Sequence, residues 1–366
     1  MRLFLCGDLM TGRGIDQILP HPSEPKLYES YLEDARDYVL LAEKKNGPIA
    51  RPVDFPYVWG EALDELRRVA PDVRIVNLET SVTRSDEPWP LKGINYRMHP
   101  RNVGCLTAAE IDLCVLANNH VLDWERAGLL ETLDTLHGAG LRTVGAGRSS
   151  AEAEEVAVVA ARAGGSGRVL VAAAAEPSSG VPYGWEATPR EPGVALVRDL
   201  DIREARAICE RLDAIRQPGD VAVVSLHWGS NWGYEVPREH VRFAHALVDR
   251  GVDLVHGHSS HHPRPIELYR GRPILYGCGD LLTDYEGIRG HEEFRGDLGL
   301  MYFASFERGE LTELRMTPMR VRRMRLERAS RSDAEWLTDV LARTSRTHGS
   351  EISLTDDGSL VAREIR

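Results

Sequence analysis

Leu254-Val255-His256-Gly257-His258-Ser259-Ser260-His261-His262 is an apolar run that turns, within a few residues, into a cluster of imidazoles. The run reads as a short buried strand, Leu254–His256, whose C-terminal end delivers polar side chains. Upstream, Arg238–Asp249 sets Val241, Ala244, His245 and Val248 at i, i+3, i+4 and i+7, one apolar stripe for packing on a sheet. Arg250-Gly251 supplies its C-cap. Downstream, Ile274–Tyr276 is another short apolar run, followed by Asp280. Strand, helix and strand in this order predict a largely parallel α/β fold.

Working outward, further strands are expected at Leu3–Cys6, Arg74–Asn77, Leu113–Ala117, Arg142–Val144, Val169–Ala173 and Val221–Leu226. Helices are expected at Val58–Val69, Trp124–His137 and Ile202–Arg216. The strand ends carry the chemistry. Asp8, then Asn77 with Glu79, Asn118-Asn119-His120, His227-Trp228-Gly229, His258 to His262 and Asp280 each follow an apolar run. In an open parallel sheet the strand C-termini share one edge, where ligand sites form. Carboxylate, amide and imidazole groups gathered there suit a divalent metal. Each alone has a plainer reading: Asp8 as a turn former, Asn118-Asn119 as a turn pair, His227 as a satisfied buried histidine. The imidazole run is harder to read that way, because clustered imidazoles need a metal, a carboxylate or water to compensate them.

Composition narrows the field. The chain has 366 residues, with Lys plus Arg 45 and Asp plus Glu 56, a net charge of −11. That balance argues against a nucleic-acid partner, which needs a positive field. Five widely spaced cysteines without C-x-x-C point to a reducing compartment rather than a disulfide framework. No apolar run approaches the ~18 residues of a membrane span, and Val156 to Ala175 is broken by Arg162, Arg168 and a glycine cluster. A cytoplasmic protein with no membrane partner is expected. The sequence lacks G-x-S-x-G, and its Gly12-Arg13-Gly14 and Gly145-Ala146-Gly147 lack the Walker lysine and Rossmann spacing. No organic cofactor is expected. Trp228, Trp232 and Tyr234, interleaved with glycines, are candidates for a substrate-binding floor, with Arg13 as a further contact.

Residues 11–57, rich in proline around one expected helix at Tyr28–Lys45, read as an excursion that could cover a pocket. From Leu300 to Met316 a hairpin is expected, then an Arg-rich strand to Leu326. Ser332-Asp333-Ala334-Glu335 announces a last helix. The preferred division is one domain over 1–331, with 332–366 as a C-terminal helix and tail.

The order Gly7-Asp8-Leu9-Met10, Asn77-Leu78-Glu79, Asn118-Asn119-His120-Val121-Leu122-Asp123, His227-Trp228-Gly229, Gly257-His258 to His261 and Tyr276-Gly277 resembles the poly-γ-glutamate capsule-synthesis (CapA) family over about residues 2–326. The resemblance implies a calcineurin-like metallophosphoesterase fold, a four-layer α/β/β/α sandwich with its metal at the strand C-terminal ends. It implies Asp8, Glu79, Asn119, His227, His258 and His261 as metal ligands, and His120 with Asp123 as an acid–base pair. The first motif reads Asp8-Leu9-Met10 where phosphoesterases carry Asp-x-His, which points to one divalent ion (Ca, Mn or Zn) rather than two. A second acid–base pair would come from His258, His261 or His262 with Asp280. Soluble members of the family resemble the epimerases of lasso-peptide biosynthesis. The main expectation is therefore a metal-dependent peptide epimerase inverting a Cα. A CapA-type hydrolase or phosphoesterase, acting on a polyglutamate-like or phosphorylated substrate, is the alternative. A non-catalytic metal-binding partner protein is the third reading.

Overall fold

Along the Arg168–Ala175 strand the side chains alternate between two cores. Val169, Val171, Ala173 and Ala175 join a core that also holds Leu3, Phe4, Ile75 and Leu113. Leu170, Ala172 and Ala174 instead join Ala205, Ile208 and Leu212 of the Ile202–Asp213 helix and Phe243, Ala244 and Leu247 of the Arg238–Val248 helix. A strand buried on both faces reads as a continuous apolar run, which is why no alternation marks it in the sequence. The computed structural model describes residues 1–162 and 167–365. The glycine cluster at 164–165 lies outside the described residues.

The expected α/β organisation is present, but its strands divide between two sheets. The first runs in the order Ser350–Leu354, Leu360–Glu364, Glu310–Val321, Leu298–Glu307, Arg2–Leu9, Val73–Leu78, Leu113–Val115, Arg142–Val144. Its Arg2–Leu9 to Arg142–Val144 half is parallel, and the remainder antiparallel. The second runs Ile266–Tyr269, Arg272–Leu275, Leu254–His258, Val221–His227, Arg168–Ala175, Ala157–Ala160. The strand ends were expected on the edge of one open sheet; they meet instead where two sheets face each other. Strand runs fix direction and burial but not sheet membership, which long-range pairing decides.

Local boundaries moved for identifiable reasons. The helix expected from Tyr28 begins at Arg36, because 25–35 closes on itself through Leu27 N–H to Glu33 O (2.8 Å) and Ala35 N–H to Pro25 O (2.7 Å). The last helix spans Arg331–Ser345 and is capped by Ser330, whose side chain accepts from Asp333 N–H, not by Ser332. The C-terminal stretch also holds a hairpin, Ser350–Leu354 with Leu360–Glu364, which extends the first sheet by pairing with Glu310–Val321. Among the described residues, no helix is long and apolar enough to cross a membrane. All five cysteines are buried and free.

Candidate metal centre and acid–base site

Register brings the strand ends together. His227 lies opposite His258 in the second sheet, and Asp8 lies opposite both Asn77 and Asp280 in the first. Gly7 permits this approach. A Cβ there would sit 1.9 Å from Gly279 O, where Asp8 N–H now donates at 3.0 Å. Ser259 is held at φ 104°, a conformation that costs a non-glycine residue about 1–3 kcal/mol. In return its N–H reaches Asp8 Oδ2 at 3.3 Å.

Two groups of three side chains place ligand-type atoms within 4.8 Å of one another: Asp8, His227 and His258, and Asp8, His261 and Asp280. The first is organised by a buried relay. His256 Nε2 lies 2.9 Å from Cys6 O; a carbonyl only accepts, so this nitrogen carries the proton. Burial holds His256 down to about 4, so the ring is neutral and its Nδ1 accepts from Ser225 Oγ at 3.0 Å. The Ser225 oxygen then accepts from His258 Nε2 at 2.9 Å. The His258 Nδ1 lone pair is thereby turned toward His227 Nδ1, 2.8 Å away. Burial holds both His227 and His258 well below the usual imidazole range, with His120 lowering His227 further. Neutral imidazoles with a fixed tautomer are the form that ligates metal.

The carboxylates state what charge is missing. Asp8, Glu79 and Asp280 share one buried basin. Burial and then Asp280 push Asp8 up to about 7, while burial and then Asp8 push Glu79 well above its ordinary value. Asp280 Oδ2 is buried without a hydrogen-bond partner. Three crowded carboxylates, an orphaned oxygen and bare imidazole nitrogen fit a hard or borderline divalent cation.

Two histidines beside the basin are driven apart. His120 Nδ1 is 2.6 Å from Asp123 Oδ2, which also accepts from Tyr96 N–H at 2.7 Å, and His120 Nε2 faces Glu79 Oε1 at 3.8 Å. Burial, only partly opposed by Asp123, lowers His120 to about 4. His261 Nδ1 is 3.0 Å from Asp280 Oδ1. Burial would lower His261 as well, but the attraction and hydrogen bond of Asp280, with Asp8, outweigh it and raise this group. His261 lines a cavity of about 710 Å³ with Tyr31, Lys45, Asn231, Trp232 and Tyr285. On the other side, Asn119 and Asn231 line a cavity of about 660 Å³.

With this arrangement in view, the comparisons with known proteins decide the lineage. The bacterial capsule synthesis protein family, PGA_cap, matches residues 2–285. The chain belongs to this family. A probable polyglutamine synthesis accessory protein of Mycobacterium tuberculosis is 51% identical over 361 residues, spanning 98% of this chain and 94% of the relative. The PGA biosynthesis protein CapA of Bacillus subtilis is 25% identical over 279 residues, 76% of this chain and 62% of that protein. The capsule biosynthesis protein CapA of Bacillus anthracis is 28% identical over 193 residues, 53% of this chain and 45% of that protein. The resemblance carried by the motif order is thus borne out, and these names favour the capsule-type alternative over peptide epimerisation.

Not every expected residue reaches the basin. Asp8, Glu79, His120, Asp123, His227, His258, His261 and Asp280 gather there, with Asn119 Oδ1 3.2 Å from His227 Nε2. His262 does not serve as an acid or base: its Nδ1 faces Pro263 O at 3.2 Å and its Nε2 accepts from Gly233 N–H at 3.1 Å. Trp228 is core, not pocket floor. The pleat turns it between His240 (4.5 Å between centroids) and Tyr276, with Nε1–H donated to Tyr276 O. Arg13 is likewise corrected. Its guanidinium is spent internally on Asp284 (2.6 Å) and Glu29 (2.8 Å), between the rings of Tyr38 and Tyr96. Trp232 does line the larger cavity, whereas Tyr234 packs on His262 and Phe294.

Sequence reading missed Ser225, Asn231 and Lys92. A signal for Ser225 existed. Ser225 and His227, like His256 and His258, are two apart in their strands and so share a face.

Proposed function

We propose that the chain is a metal-dependent hydrolase of the capsule-synthesis type that cleaves an acyl linkage in a poly-amino-acid chain. The observation that carries this reading is the opposed pair of carboxylate-held histidines flanking one metal-type basin, since two titratable groups pushed apart mark an acid and a base. Relatives named for polyglutamine synthesis and PGA biosynthesis supply the substrate class. We read the two facing sheets with outer helices as a calcineurin-like four-layer sandwich, and residues 11–57 as the segment covering its larger cavity.

Asp8, His227 and His258, with Glu79 and Asn119 beside them, would hold one divalent ion, whose contribution when bound is Lewis-acid polarisation of the acyl oxygen. The charge count agrees: one divalent cation offsets two of the three carboxylate charges, and protonation of His261 would offset the third. Neutral His120, oriented through Nδ1 by Asp123, accepts a proton from the attacking water at Nε2. His261, whose proton affinity Asp280 and Asp8 raise against the effect of burial, is the group placed to donate a proton to the departing nitrogen. The C–N bond breaks as the C–O bond forms, and one proton is taken up for the one released.

Release of amino groups from poly-γ-glutamate by metal-loaded protein is the test. His120→Gln and His261→Gln should each lower the rate about 100-fold or more with metal retained. Wild-type protein that holds its metal but releases nothing would overturn the reading, in favour of the accessory role named for the mycobacterial relative.

A further inference from the structure

Lys92 stands at the edge of this basin with most of its hydrogen-bonding capacity unspent. Its side chain is 12% exposed, and Nζ is 3.4 Å from Asp123 Oδ1 and 3.5 Å from Ile94 O. An ammonium offers three donors, and both contacts are long for charge-assisted bonds, which favour about 2.7–2.9 Å. The ammonium also lies 5.7 Å from the centre of the Trp185 ring. It is therefore positioned by charge and ring rather than consumed by a tight ion pair.

The cavity it faces has a one-sided chemistry. Its wall includes Trp89, Lys92, Asn119, Ser178, Ser230 and Asn231, and Lys92 is the one ionisable residue on that wall among the described residues. Asn119 turns Oδ1 toward His227, and among the described residues its Nδ2 makes no hydrogen bond within the chain. Two open donors thus share a wall that carries no carboxylate. Asn119 joins this cavity to the metal basin, and Asn231 joins it to the cavity holding His261, where the Asn231 side-chain amide lies 3.0 Å from His261 Nε2.

We infer that Lys92, with the Asn119 amide, forms a specificity subsite that receives a carboxylate of the substrate next to the bond under attack. The assignment rests on the hydrolase reading for its substrate class and adds a residue that decides between acidic and neutral chains. The plainer alternative is that Lys92 only neutralises Asp123. The two differ in what they predict for substrate charge.

Calorimetric titration of metal-loaded protein in a His120→Gln background that slows cleavage separates them. The ligands are penta-γ-glutamate and its neutral α-carboxamide (γ-linked isoglutamine) counterpart, and wild type denotes Lys92 retained in that background. Wild-type protein should prefer the acidic peptide. Lys92→Met should weaken acidic-peptide binding about 10- to 100-fold, the value of a charge-assisted hydrogen bond. It should leave neutral-peptide binding and metal content unchanged, and Lys92→Arg should restore the preference. A retained preference in Lys92→Met would overturn the subsite while leaving the hydrolase reading intact. Equal loss for both peptides, or loss of metal, would assign Lys92 to Asp123 instead. A phosphoserine peptide that binds wild-type protein more tightly than the acidic one would overturn the carboxylate assignment. Failure of both glutamyl peptides to bind wild-type protein would remove the substrate class itself.

Discussion

Ser225→Ala tests the relay that sets the metal-binding face of His258. The substitution removes one hydroxyl and leaves two ring nitrogens, His256 Nδ1 at 3.0 Å and His258 Nε2 at 2.9 Å, facing a methyl group. Serine and both rings are fully buried, so water does not replace the lost partner without rearrangement. Each unmatched buried polar atom costs about 1–3 kcal/mol, giving at least about 2 kcal/mol of lost stability. The second consequence is specific. Without an acceptor at Nε2, the His258 proton is free to move to Nδ1, the nitrogen that faces His227. Loss of such an orienting partner lowers metal affinity about 10- to 100-fold. Competition with a chelator of known affinity reads this directly, and urea unfolding of metal-free protein reads the stability. Ser345→Ala is the control. It also removes a fully buried hydroxyl, one that accepts from Ile266 N–H at 3.0 Å, and it should cost stability without changing metal affinity. If Ser225→Ala binds metal as wild type does, or if Ser345→Ala weakens binding equally, the tautomer argument is wrong.

Elemental analysis should find one divalent ion per chain; two would show that charge balance does not limit the basin and that Asp8, His261 and Asp280 hold a second. Burial lowers His240 to about 4, below its unfolded value, so the unfolded state takes up more protons as pH falls. Stability present above about pH 6.5 should then decline towards pH 4, by roughly 3 kcal/mol for this residue alone; the gap between urea midpoints at pH 7 and 4.5 should narrow in His240→Gln, and an unchanged gap would remove His240 as a cause. Arg13→Met strands the carboxylates of Glu29 and Asp284, both buried, and should cost about 3–5 kcal/mol, with faster proteolysis in 20–46; near wild-type unfolding would show the ion pairs to be dispensable. Trp228→Ala should cost about 3–5 kcal/mol as a core truncation, and Trp232→Ala far less; the reverse order in thermal unfolding would restore Trp228 to the pocket.

The local periodicities were legible because they are short-range. Apolar runs followed by Asp8, Glu79, His120, His227, His258 and Asp280 reported that chemistry sits at strand ends, and the order of those motifs reported the family. The sequence also fixed the charge balance and the absence of a nucleophile elbow. Tertiary structure decided the rest, because pairing between distant strands is not encoded in any single segment. It divided the strands between two sheets and set His227 opposite His258 and Asp8 opposite Asp280. It also turned Trp228 and His262 inward and spent Arg13 on Asp284. Above all it assigned the histidines different charges. His120 and His261 are the same residue type following similar strands, yet burial prevails at His120 while at His261 it is outweighed by Asp280 together with Asp8, so one is pushed down and one up. Proton affinity depends on which charges lie within a few ångströms, and only the folded chain determines that.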